Sequence, residues 1–129
     1  MTLTACGIRP TPVLTGGEAP TVSAHALTVY LVNAGRDGLV RRTRTHIGTV
    51  DITTAMNSLL AGLTEEEEEL GLVTEVPETT AKAIAVLNVI VMPEGTEPPT
   101  KWALFQVHCT ALASRAKVAG VPTSDVNCS

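Results

Sequence analysis

Leu27-Thr28-Val29-Tyr30-Leu31-Val32, then Asn33-Ala34-Gly35-Arg36-Asp37-Gly38, then Leu39-Val40-Arg41-Arg42-Thr43-Arg44-Thr45 is the stretch on which the reading of the fold turns. Its first six residues alternate, with Leu27, Val29 and Leu31 on one face, as a half-buried strand requires. The next six are turn chemistry, rich in Asn, Gly and Asp. The third segment reads as a second strand, so the whole predicts a β-hairpin. Its faces are Leu39, Arg41, Thr43 and Thr45 against Val40, Arg42, Arg44 and His46. So polar a pattern predicts an edge strand, where charge discourages pairing with another sheet.

Downstream, Met56, Leu59, Leu60 and Leu63 recur at helical spacing and predict a helix over 51–63, ended by Gly62. Thr64 with Glu67 three residues on is a capping box, so a second, short helix starts at once. Glu65 to Glu69 fill its first turns near the positive end of the dipole, and Gly71 stops it. The run from Lys82 to Met92 is apolar on both faces and rich in β-branched residues, which predicts a central strand beneath helices. Pro93 to Pro99 reads as a loop and Thr100 to Ser114 as the last long helix. On that helix Trp102, Phe105, Cys109 and Leu112 share a face, which points Cys109 into the core. Lys117 to Val121 completes the pattern as a short strand.

Ahead of the hairpin, residues 7–24 contain Pro10, Pro12, Gly16, Gly17 and Pro20 and no apolar period, the composition of a tether. Before it stands Leu3-Thr4-Ala5-Cys6, followed by Gly7, which reads as the end of a bacterial lipoprotein signal with Cys6 as the lipid acceptor. Only Met1 and Thr2 precede this motif, so the expectation concerns a native precursor with a longer leader. Three cysteines are an odd number. With Cys6 acylated, Cys109 and Cys128 remain to pair, as an exported chain permits. The alternative is a buried free thiol at Cys109 and a loose one in the tail.

Composition narrows the function classes. The 129 residues suffice for one domain, and 44% hydrophobic with 17% charged residues fits a globular fold. One Trp, one Tyr and one Phe leave the core to aliphatic side chains. That poverty, a net charge of −4 and the lack of a long basic stripe argue against a nucleic-acid partner. No apolar run approaches the ~18 residues that span a bilayer, so membrane attachment falls to Cys6.

Thr28 to Val32, Leu39 to Arg42, the block Leu59-Leu60-Ala61-Gly62-Leu63-Thr64 with Glu67, Gly71-Leu72 and Pro77 resemble the GerMN domain of sporulation and spore-germination proteins. The nearest likeness is to actinobacterial lipoproteins that carry one such domain behind a lipidated Cys-Gly. Gln106, Cys109-Thr110 and Cys128 look like the ending of that group. Leu63 departs from the pattern, which usually has Pro after the glycine that ends the helix. Lys82 to Met92 departs too, lacking an obvious turn unless Asn88 makes one. The resemblance implies an α+β fold, with helices on one face of a small mixed sheet similar to ring-building motifs. It implies a module that assembles with neighbours or partners, with no catalysis and no cofactor.

The residues themselves offer little chemistry. His25, His46 and His108 lack metal-ligand spacing, and no nucleophile elbow, phosphate loop or dinucleotide fingerprint occurs. His108 beside Cys109 would point about 100° away from it on a helix, a poor nucleophile–base pair. The candidate interaction surface is therefore charged: Arg41, Arg42 and Arg44 on the strand, Glu65, Glu66 and Glu69 on the short helix. Plain solvated faces are the bland reading of both. The functional readings are anionic headgroups or an acidic partner for the arginines, and a basic partner for the glutamates. A further expectation sets the arginines of one copy against the acidic helix of the next. The expected protein is an envelope lipoprotein on the extracytoplasmic face of the cell membrane, binding a protein partner or itself. The alternatives are a binding protein for a small envelope ligand and, behind it, a hydrolase or redox enzyme.

Overall fold

A computed structural model describes residues 24–121 and 127–128. The Cys6 motif and the tether through residue 23 lie outside the described residues. Strand β1 (Ala24–Val32) starts at the last residue assigned to the tether and pairs antiparallel with β2 (Leu39–Ile47), in register from Ala24 opposite Ile47 to Val32 opposite Leu39. Asn33 closes the turn. Its side-chain amide donates to Asp37 at 2.7 Å, and its side-chain oxygen accepts the Asp37 N–H at 3.0 Å.

Helix α1 (Thr54–Leu60) is shorter than the predicted 51–63. At its start, Asp51 Oδ1 accepts the Thr53 N–H at 2.8 Å and the Thr53 hydroxyl at 2.7 Å, holding residues 51–53 in a turn. At its end Gly62 has φ +94°, and a Cβ there would stand 2.9 Å from the Glu78 carboxylate. Ala55, Met56, Leu59 and Leu60 are buried. Helix α2 (Glu65–Glu69) has the full capping box: Glu67 N–H donates to Thr64 Oγ1 at 3.2 Å, and Thr64 N–H donates to Glu67 Oε1 at 3.0 Å.

The fold is a small mixed α+β arrangement, with two sheets where one was expected. The apolar run from Lys82 breaks at Leu87-Asn88 into β3 (Ile84–Val86) and β4 (Val89–Val91), an antiparallel hairpin. The short strand β5 (Lys117–Val118) joins β4 in parallel. The run is therefore not a central strand under helices. Ile90 is fully buried, whereas Ile84, Val86, Leu87 and Val91 are exposed.

Helix α3 (Lys101–Ala113) has Thr100 as its N-cap, accepting the Ala103 N–H at 3.1 Å. Its buried residues are Ala103, Gln106, Val107, His108, Cys109, Thr110 and Ala111. The expected stripe holds only at Cys109: Leu112 is exposed, while Trp102 and Phe105 are half-buried and meet edge to face. The helix is turned by what it must serve. Gln106 and Thr110 face the open edge of β1, where Thr110 Oγ1 accepts the Tyr30 N–H at 3.0 Å and Gln106 Nε2 donates to the Tyr30 carbonyl at 3.0 Å. A buried strand edge needs such partners, since an unpaired buried amide is costly. Val29 and Leu31 of β1, Met56, Leu59 and Leu60 of α1, Val107 and Ala111 of α3, and Ile90 and Val118 of the second sheet form one core. Among the described residues, no helix is long and apolar enough to cross a membrane.

Candidate functional site

The charged strand and the acidic helix were read as separate surfaces; they meet inside one chain. In the β1–β2 register Arg44 stands opposite Leu27 and Arg42 opposite Val29. Leu27 and Val29 are buried, so both arginines are on the side of β2 that turns toward the helices. Arg44 is 9% exposed and Glu67 1%. Arg44 Nε donates to Glu67 Oε2 at 2.9 Å and Nη2 to Oε1 at 2.6 Å, a bidentate pair.

The other Arg44 donors go to the end of α1. Nη1 donates to the Ser58 carbonyl at 2.6 Å and to its hydroxyl at 2.9 Å, and Nη2 donates to the Gly62 carbonyl at 3.0 Å. A cation here satisfies carbonyls that the helix leaves open and meets the negative end of its dipole. One guanidinium thus ties β2, the end of α1 and the start of α2. Arg42 Nη2 donates to Glu66, and Arg42 Nε lies 3.5 Å from Glu67 Oε2. Among the described residues, that Nε is the one buried side-chain nitrogen or oxygen without a hydrogen bond.

Two expectations are corrected by this cluster. Arg44 is not on a solvated edge, and the acidic helix is not solvated throughout, because its third glutamate is inside. The arginine–glutamate complementarity expected between copies is met in cis by Arg42 with Glu66 and Arg44 with Glu67. Burial pushes the Glu67 carboxyl up. The Arg44 hydrogen bonds, the Thr64 N–H and the charges of Arg44 and Arg42 outweigh it and hold its pKa below the ordinary value. Asp51, which is exposed, is also lowered, by the Thr53 hydroxyl and N–H and by Thr54.

The remaining site residues spread out. Arg41 is exposed on the other side of β2, its Nη1 3.4 Å from the Tyr30 hydroxyl. Glu65 and Glu69 are exposed on α2. His25 and His46, distant in sequence, are cross-strand partners. His108 is buried. Among the described residues, no group of three His, Cys, Asp or Glu is placed to hold a metal ion. A depression of about 460 Å³ lies beside the arginines, lined by Leu27, Arg42, His46, Gly62 and Glu66 among others. Small-ligand sites are mostly apolar with few convergent polar groups; here the lining charges already face each other.

Cys109 and Cys128 form a disulfide, with Sγ atoms 2.02 Å and Cα atoms 5.5 Å apart. The sulfur of Cys109 is therefore not a thiolate nucleophile for His108 to activate. Gln106, named in the sequence only within the resemblance, has a structural role not foreseen there: fully buried, it also accepts the Glu75 N–H at 2.8 Å and donates to Thr74 Oγ1 at 3.0 Å. Its signal was a polar residue one turn before Thr110 in an otherwise apolar helix. No family model matches the chain, and no curated protein or solved structure matches it either.

Proposed function

We propose that the chain is a membrane-anchored lipoprotein of the bacterial cell envelope, whose GerMN-like domain is a non-catalytic protein-interaction or scaffold module. The observation that supports this most is the Cys109–Cys128 bond. Disulfides persist in oxidising compartments and are rare in the cytosol. The bond also leaves Cys6 as the odd one of three cysteines, within Leu3-Thr4-Ala5-Cys6-Gly7 and ahead of a Pro- and Gly-rich spacer. Lipid on Cys6 holds the chain at the extracytoplasmic face, and the spacer links that anchor to the domain.

The domain's strongest polar groups are committed to its own architecture: Arg44 with Glu67, Gln106 with Tyr30, and Arg36 with Glu75 at 2.7 Å. What it presents instead is a set of exposed carboxylates, Glu65 and Glu69 among them, on a helix pinned at Glu67. Such a fixed charged face suits docking of a basic protein partner. The test is in-cell cross-linking and pull-down of the acylated, full-length protein, beside a Glu65→Lys/Glu69→Lys variant. One partner recovered with the natural chain and lost with the variant is the expected result. Recovery of no protein removes the scaffold reading.

A further inference from the structure

The second sheet has an outer face that, among the described residues, nothing covers. In its register Ile84 stands opposite Val91, Val86 opposite Val89, and Val89 opposite Lys117. Cross-strand partners share a face, so Ile84, Val86, Val89, Val91 and Lys117 are on one side. Ala85, Ile90 and Val118 are on the other, where Ile90 and Val118 enter the core. On the outer side Ile84 is 60% and Val86 59% exposed. At the turn between the strands Leu87 is 91% exposed. Exposed apolar side chains gathered in this way mark a contact surface.

Leu87 makes the point sharper. Its φ is +57°, and Asn88, the other turn residue, is not at positive φ. A two-residue turn with that sign pattern ordinarily has glycine first. Leucine at positive φ is strained, whereas Asn or Gly is not. The turn gives no reason for leucine here, and the core gives none either, because the side chain is outside.

Charge indicates the occupant. Residues 79–121 contain Lys82, Lys101, Arg115 and Lys117 against Glu94 and Glu97, a local excess of two positive charges in a chain whose net charge is −4. Lys117 N–H donates to the Asn88 carbonyl at 2.9 Å, which fixes Lys117 beside the turn. Lys82, Arg115 and Lys117 are all exposed. An aliphatic face and tip with cations at the rim match an anionic lipid surface, where side chains reach the acyl boundary and cations meet headgroups. A second copy on the same face would set lysine against lysine.

We propose that the β3–β4 hairpin, with Leu87 leading and Lys82, Arg115 and Lys117 around it, docks on the surface of an anionic bilayer. This deepens the membrane-anchored reading, but it is tested without the anchor. The full-length chain, purified without an acyl group, is floated with mixed phosphatidylcholine/phosphatidylglycerol vesicles and with phosphatidylcholine vesicles alone. The natural chain should bind the mixed vesicles and bind the neutral ones far less. Lys82→Gln/Lys117→Gln should weaken binding on the order of 25-fold, at roughly five-fold per cation. Leu87→Asn should weaken it at least about ten-fold, the loss of one inserted aliphatic side chain. Its urea midpoint should be unchanged or higher, since Asn accepts positive φ. Equal binding by the natural chain and Leu87→Asn overturns the proposal, as does no binding to anionic vesicles. A concentration-dependent dimer that Leu87→Asn abolishes overturns it in favour of a second copy. Failure here leaves acylation of Cys6 standing, and unacylated vesicle binding survives if Cys6 proves unlabelled.

Discussion

Replacing Glu67 by Gln should cost about 3 kcal/mol of folding stability at pH 7. The change keeps the shape and removes the charge. Arg44, 9% exposed, would keep its bonds to Ser58 and Gly62 but face a neutral amide in place of a bidentate carboxylate. One of the two Arg44–Glu67 bonds must be lost, because an amide has a single acceptor oxygen, and that oxygen is also wanted by the Thr64 N–H. Removing one partner of a buried ion pair typically costs about 3–5 kcal/mol. The lower figure applies because Arg44 keeps its carbonyl partners. With m of ~1.5 kcal/mol/M, the urea midpoint should fall by about 2 M. Equilibrium unfolding followed by far-UV circular dichroism reads this directly, and m should stay unchanged. A loss under about 1 kcal/mol, the range of surface ion pairs, would refute the reasoning that this guanidinium ties two helices to the hairpin.

The same residue sets a pH dependence. Folding lowers the Glu67 pKa, so its contribution is present above the unfolded glutamate value of about 4.3 and is lost as pH falls through the folded value. The stability gap between the natural chain and Glu67→Gln should therefore be constant from pH 7 to about 5 and close below about 4.3; a gap that widens on acidification would contradict the sign. Cys128→Ser should destabilise by roughly 3 kcal/mol, given the separation of 19 residues, and make thermal unfolding indifferent to dithiothreitol. Gln106→Ala should cost about 2 kcal/mol or more by stranding the Tyr30 carbonyl and the Glu75 N–H. The amide protons of β1 should then exchange faster in hydrogen-exchange measurements.

The β1–β2 hairpin, the α2 capping box and the α3 N-cap were legible because each rests on local chemistry: alternation with Asn-Gly-Asp turn residues, Thr64 with Glu67, and Thr100 at a helix start. Lys82 to Met92 was misread because two apolar faces ordinarily mean burial on both sides. Here Leu87 turns the chain at a position where leucine is unfavourable, and one face stays outside. The α3 stripe failed for a tertiary reason. Hydrophobicity favoured Trp102, Phe105 and Leu112, but the open edge of β1 required hydrogen-bonding partners, and Gln106 with Thr110 was turned inward. The Arg44–Glu67 pair was invisible because residues 23 apart join only once the hairpin and two helices are in place. The sequence does show Glu67 at the capping-box position, though not that its outer oxygens are buried.

Acyl labelling tests the central claim most directly. The precursor is expressed in its native cell with an alkyne fatty-acid analogue, next to Cys6→Ala, and both are scored for label and for membrane fractionation. Label and membrane retention are expected for the natural chain, and loss of label with release of most of the protein for Cys6→Ala. Equal labelling of the two chains would refute lipidation at Cys6.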